Sequence, residues 1–360
     1  MATNRDRLEV HLVGSVPLAD AETVFRTVCA SIGPYLRRLP DGETGARKRW
    51  VGMISEILDR HPALETDPEE PTFVMKLASG KVHRELKRLR FRDGIDPKAV
   101  RYETGYATMA IDSFGIFDRL QRDRVIPKGV RFQIAIPSPL APAYNYISKK
   151  HRIAFLDSFT AHLLDEVRQI AAALPNDRLT IQWDVLQEIL IWENYFPDRP
   201  DDYKTQISST LTNIGNAIPQ AIELGYHLCY GSPKDEHLVQ PRDAGVMVTI
   251  MNETVRSVRR PITYFHIPVP KDRTDASFYQ PLNTLSLSKG TQLYMGLVHL
   301  NDDEGNRQRL ERAREYATVA GIASECGWGR GDPSRVGPLL DTFRRLVGTQ
   351  KVAASSQDNQ

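Results

Sequence analysis

The chain has 360 residues, is 41% hydrophobic and 26% charged, and carries a formal net charge of +2. This is the composition of a folded protein with a sizeable apolar core, and its near-neutral balance argues against nucleic acid as a partner. No run approaches eighteen consecutive apolar residues and the opening MATNRDRLE has no apolar secretory core, so no membrane partner is expected and a cytoplasmic location is the default.

In chain order, the first strand-like run is EVHLVG (9–14), followed by helical periodicity over 19–32 and a second strand, YLRRLP (35–40). The interval from 49 to 101 breaks the rhythm. It holds helical patterns at 51–60 and 80–92 and a Pro-rich acidic loop at 65–71, and reads as an insertion after the second strand. The densest basic stretch, KVHRELKRLRFR (81–92), reads as a solvated helix face, because acidic residues resume directly after it. The alternation then returns: VRFQIAIP (130–137), a helix over 153–174, LTIQWD (179–184), a helix over 203–224, and YHLCYG (226–231). A helix over 244–259, ITYFHIP (262–268), LYMGLVHL (293–300), a helix over 307–319 and AGIASEC (320–326) complete it. The polar tail, 349–360, lacks periodicity and is expected to be disordered.

Eight strand-plus-helix units without a composition break predict an α/β fold, a (β/α)8 TIM barrel with an insertion after the second strand, spanning 1–348 as a single domain. The rival doubly wound sheet carries a Gly-rich phosphate turn after its first strand, and HLVGSVPL is not one. In a barrel, chemistry gathers at the C-terminal strand ends. Here those ends carry Gly14 and Ser15, Asp41 to Glu43, Asp184, His227 with Cys229, His266, His299 and Cys326.

Two of the three cysteines lie at such ends. His227 and Cys229, two residues apart on an extended run, point to one side and can share a zinc ion, with Cys326 arriving from another strand end. The plainer alternative is that these cysteines are small buried hydrophobes, as Cys29 is expected to be within its helical pattern.

In this order the strand-end motifs also resemble the C-terminal catalytic barrel of cobalamin-independent methionine synthase, within the superfamily shared with uroporphyrinogen decarboxylase. The resemblance runs through VGSVP, PDGETGARKRWV, IPSPLAPA, IQWDVLQE, HLCYG and SECGWGR. It implies zinc as cofactor, held by His227, Cys229 and Cys326. His266 stands where the family has a glutamate ligand, with Glu253 ranked second for that place. It further implies that Gly14, Ser15, Glu43 and Asp184 surround a small-molecule thiol and that His299 lies near the substrates; Trp50 and Trp183, which depart from the family, are expected to shape the mouth together with the Pro137 loop. Asp184 and His299 are the candidate catalytic groups.

The function so implied is transfer of a methyl or other alkyl group from a small-molecule donor to a zinc-activated thiol. The chain departs from the family at Arg49-Trp50-Val51 and at Asp184-Val185-Leu186, which leaves the methyl donor open. A zinc-dependent hydrolase or lyase, or a metal-free decarboxylase on the same barrel, is the alternative. Oligomeric state is not legible in the sequence.

Overall fold

A computed structural model describes residues 8–49, 51–233 and 236–357. The chain enters through strand β1 (Glu9–Val10), helix α1 (Ala21–Ile32) and strand β2 (Arg38–Pro40). Asp20 starts α1 by accepting a hydrogen bond from the Thr23 amide at 2.7 Å, and the apolar positions of the helix face the barrel. The insertion follows: α2 (Val51–Asp59), β3 (Leu64–Thr66), β4 (Phe73–Lys76), β5 (Val82–Leu86), β6 (Leu89–Phe91) and α3 (Tyr106–Arg122).

From there strand and helix alternate. β7 (Arg131–Pro137) leads to α4 (Leu140–Tyr146) and α5 (Arg152–Ala173), and β8 (Leu179–Val185) to α6 (Gln187–Trp192) and α7 (Tyr203–Asn216). β9 (Glu223–Leu228) precedes α8 (Gly245–Ser257), β10 (Tyr264–Pro268) precedes α9 (Ala276–Tyr279), and β11 (Gln292–Gly296) precedes α10 (Asp303–Tyr316). β12 (Gly321–Ile322) and α11 (Val336–Gln357) close the chain.

Eight of the strands form one sheet in the order β1-β12-β11-β10-β9-β8-β7-β2, with every pairing parallel. The sheet curls until its edge strands meet at a single parallel bridge, Val10 to Leu36. The expected barrel is therefore present as eight parallel strands with helices outside, but no full ladder closes it. β1 is only two residues long, and side chains take over where its ladder stops. The Gln133 amide donates to the Leu12 and Val13 carbonyls at 2.9 Å each, and that of Gln182 to the Val13 carbonyl at 2.7 Å.

Alternation along the strands sorts the side chains. On β8, Thr180, Gln182 and Asp184 face inward, while Ile181 and Trp183 face the helices. The interior is unusually polar. Gln182 Oε1 accepts from Tyr264 Oη at 2.9 Å and pairs with His11 Nε2 at 3.1 Å. Toward the N-terminal ends of the strands, Arg38 reaches Glu223 at 2.6 Å and Tyr294 at 3.0 Å.

Two expectations need correction. Residues 80–92 are not a helix: Gly80, at φ +84, turns the chain between β4 and β5, and β6 then pairs antiparallel with β3. Burial alternates on β6, as it does on β4, and the antiparallel ladders satisfy the backbone of both stretches, so these are strands. The helix expected over 203–224 ends at Asn216, since Pro219 cannot continue it. Among the described residues α11 runs on to Gln357, with no Gly or Pro after Gly348 to stop it.

Candidate metal centre and the cavity around it

The C-terminal strand ends bring one group of metal-capable atoms together among the described residues. His227, at the end of β9, Cys229 just beyond it and Cys326, in the loop after β12, place their donor atoms within 4.8 Å of one another. A tetrahedral zinc with bonds of about 2.3 Å to sulfur and 2.0–2.1 Å to nitrogen spaces its ligands roughly 3.5–3.8 Å apart, so the set fits an ion after small adjustments. The Cys326 thiol is held well below its ordinary value, chiefly by the hydrogen bond from Cys229 and then by His227 and Arg330, while that same bond and burial push Cys229 up.

The Cys326 loop is built to hold this place. The Trp328 amide donates to the Ser15 carbonyl at 2.6 Å, the Gly329 amide to Ser15 Oγ at 3.1 Å, and the Trp328 indole to Ser324 Oγ at 2.6 Å. A Cβ on Gly327 would lie 2.3 Å from Ser15 Oγ, so only glycine lets the loop come this close. Ser15 thus acts as the anchor of the cysteine loop as well as lining the cavity.

His266 stands behind His227 rather than beside it. Its Nε2 lies 3.1 Å from the Ser324 carbonyl, which can only accept, so Nε2 carries the proton and Nδ1 the lone pair. His227 Nδ1, 2.7 Å from His266 Nδ1, must then be the donor, and the remaining lone pair of His227 is on Nε2. That tautomer suits a metal ligand, because the second ring nitrogen of a ligating histidine is normally held by an acceptor. With both its nitrogens engaged, His266 is not among the ion-facing donors, contrary to the expected fourth ligand. Glu253 lies on α8 and is not part of the group either.

The cavity in front of the group, about 40 Å³, is lined by Ser15, Glu43, Asp184, His227, Cys229, Cys326 and Arg330, among others. Glu43 has a left-handed backbone (φ 48) and its amide donates to Asp41 at 2.9 Å, while Arg47 grips the other Asp41 oxygen at 2.5 Å. Glu43 Oε1 lies where a Cβ on Gly14 would fall, at 2.1 Å, which explains the glycine. Burial, and then the charge of Asp184, raises the Glu43 carboxyl well above the usual range.

The remaining expected residues fall elsewhere. Trp183 is 0% exposed on the face of β8 opposite Asp184 and lines none of these cavities, so it is a core residue and not part of the mouth. His299 lines a neighbouring cavity of about 160 Å³ that shares Cys326, Gly327 and Arg330 with the first. Its Nε2 donates to the Val269 carbonyl at 2.9 Å and burial lowers its pKa, so the ring is neutral. Trp50 lies outside the described residues. Arg330 is a cavity-lining residue that motif reading passed over. It sits inside the quoted SECGWGR, four residues after Cys326, and its Nη2 comes to 3.8 Å from Cys326 Sγ.

No family model matches the chain, and no curated protein does. Solved structures do. A B12-independent methionine synthase from Shewanella sp. W3-18-1, solved with selenomethionine, aligns over 97% of this chain and 99% of its own with a TM-score of 0.58 and 12% identity. A candidate vitamin-B12-independent methionine synthase from Listeria monocytogenes aligns over 96% and 99%, with a TM-score of 0.56 and 14% identity. A methyltransferase from Methanosarcina mazei aligns over 97% and 95%, with a TM-score of 0.53 and 12% identity. The chain therefore shares the fold of methionine synthase-like methyltransferase structures along nearly its whole length. At these identities the likeness concerns the fold.

Proposed function

We propose that this protein is a zinc-dependent transferase that moves a methyl or other alkyl group onto a small-molecule thiol. The observation that carries the reading is the His227, Cys229 and Cys326 group beside a carboxylate-lined cavity at the strand ends. His227 Nε2 and the two sulfurs would hold the ion. Three protein donors leave one tetrahedral position open to a substrate, as in catalytic sites, where four would close it. When bound, zinc supplies stabilisation of a substrate sulfur as thiolate at neutral pH.

The chain's own groups divide the rest of the work. Asp184 and Glu43 face the end of the thiol that carries an amine: the ionised member attracts an ammonium, and the protonated one holds a hydrogen bond at its carboxyl. Arg330, which lines this cavity and the one beside it, supplies a positive charge at their border. His299, at the adjoining cavity, commits its one N–H to the Val269 carbonyl and keeps the lone pair on Nδ1, so it serves as a hydrogen-bond acceptor beside the substrates and the leaving group takes its proton from solvent. Val185 and Leu186 put apolar walls where the methionine synthase pattern has an acid and a proline, so methyltetrahydrofolate is expected to be a poor donor.

Calorimetric titration with homocysteine, cysteine and simple mercaptans tests this. With a free thiol pKa of about 8.5, binding as thiolate at pH 7 releases close to one proton, read from buffers of different ionisation enthalpy. X-ray absorption should gain a sulfur neighbour at zinc. Cys229→Ser and Cys326→Ser should each lose stoichiometric zinc with far-UV circular dichroism unchanged. No proton release and no added sulfur with any thiol would sink the transferase reading and favour a bound water, that is, a hydrolase.

A further inference from the structure

The insertion and its basic stretch have no part in the site so far. Most of the charges are matched locally: Arg90 and Arg92 reach Glu65 at 2.7 and 2.9 Å, and Arg88 donates to the Tyr144 carbonyl. Arg84 lies against the Tyr146 hydroxyl, and the two line a cavity of about 100 Å³ between the β4–β5 hairpin and the barrel mouth. The hairpin is pinned there as a roof. Tyr195 Oη accepts from the Lys76 amide at 2.8 Å and donates to the Lys76 carbonyl at 2.7 Å, and the Ala78 amide donates to the His237 carbonyl at 2.9 Å.

This cavity differs in charge from the one before the metal group. Its lining includes two guanidiniums, Arg84 and Arg330, and no carboxylate, whereas the metal-facing cavity holds Glu43 and Asp184. The two share Leu186, Gly231 and Arg330, so one molecule can reach from the first into the second. Gln187, on the wall, is 0% exposed. Its Nε2 donates to Asn145 Oδ1 at 3.2 Å, and its Oε1 has no partner within the protein. A buried acceptor left unmatched is costly, and a ligand N–H or O–H would satisfy it.

We propose that the cavity beneath the hairpin binds the oxyanion-bearing end of the alkyl donor. A carboxylate, phosphate or sulfonate sits between Arg84 and Arg330, and an adjacent N–H or O–H donates to Gln187 Oε1. The pair of guanidiniums also disfavours a cationic donor here. The name of donor rests on the transferase reading; the anion site itself does not.

Fluorine NMR on the full-length protein as purified, in phosphate-free buffer, tests it. The probes are a trifluoromethyl-benzoate with a ring amino group, the same benzoate with methyl in its place, and a trifluoromethyl-phenyl trimethylammonium ion. Both benzoates should bind, the amino compound more tightly, and the cation should not. Arg84→Gln and Arg330→Gln should each weaken both benzoates by about tenfold, the loss of one charge-assisted contact. Gln187→Leu should abolish the preference for the amino compound, and Arg92→Gln, whose partner is Glu65, should change nothing. Equal binding of the cation, no benzoate binding at millimolar concentration, or indifference to both Arg84→Gln and Arg330→Gln would overturn the proposal. Binding of inorganic phosphate without either benzoate would overturn the assignment to an organic donor. If the benzoates bind as expected while thiols release no proton, the anion site stands and the transferase reading falls.

Discussion

His266 illustrates how a side chain's role follows from its hydrogen bonds rather than from its place in a motif. At 0% exposure and between the Ser324 carbonyl and His227 Nδ1, it fixes the tautomer of its neighbour. Gly296 on β11 gives the ring its room, since a Cβ there would lie 2.6 Å from His266 Nε2. His266→Phe should leave His227, Cys229 and Cys326 as ligands but weaken zinc by roughly 10–100-fold, the usual cost of losing an outer-shell partner. Chelator competition measures the affinity. X-ray absorption separates the roles: one nitrogen neighbour fewer in the variant would make His266 a direct ligand after all. Partial recovery in His266→Gln, whose amide can accept from His227, would mark an orienting role.

At the scale of elements, β2 shows how a strand of the barrel buries a charge. Arg38 is 3% exposed, reaches Glu223, Tyr294 and Gln292, and lies 4.4 Å over the ring of Tyr264. These contacts tie β2 to β9, β10 and β11 across the interior, so the guanidinium acts as a polar plug where the open edge of the sheet would otherwise be least supported. Arg38→Met removes the plug but leaves Glu223 with Arg131 at 3.2 Å. A loss of about 2–4 kcal/mol is expected, below the full cost of stranding a buried partner. Urea unfolding should show a lower midpoint at unchanged slope; a change under about 0.5 kcal/mol would mean that the interior repacks freely. In the sequence Arg37 and Arg38 look alike. Only the phase of the strand separates the one at the surface from the one in the core.

At the scale of the whole molecule, Glu188 couples stability to pH. It begins α6 beneath the barrel rim, 0% exposed, with neither carboxyl oxygen hydrogen-bonded; Ser138 Oγ is a polar neighbour at a geometry short of a hydrogen bond. Burial lifts its pKa to about 7. Below pH 4.5 the carboxyl is protonated in both folded and unfolded chains and contributes no pH dependence. Between 4.5 and 7 the unfolded chain ionises first, so stability falls as pH rises; above 7 the full cost, on the order of 3 kcal/mol, is in place. Glu188→Gln should remove that slope and be more stable than the parent protein at pH 8. Equal slopes in urea titrations of the two proteins between pH 5 and 8 would show that the carboxyl is matched in the fold.

Much of this architecture is legible in the sequence because it depends on local periodicity. The eight strands of the sheet, their order between helices, and the strand ends bearing Gly14, Glu43, Asp184, His227 and Cys229 follow from alternation and from Gly and Pro punctuation. The hairpin hidden in the basic stretch is the exception: with apolar positions at Leu86, Leu89 and Phe91, its charged residues fit a helix face as readily as a strand. What the tertiary structure alone decides is which loops meet and which way each side chain points. Curling the sheet carries Cys326 to Cys229 across about a hundred residues of chain, turns Trp183 outward, places His266 behind His227 and gives His299 to a neighbouring cavity. None of these is a property of spacing along the chain, because each depends on the phase of one strand against another and on the radius at which the sheet closes on itself.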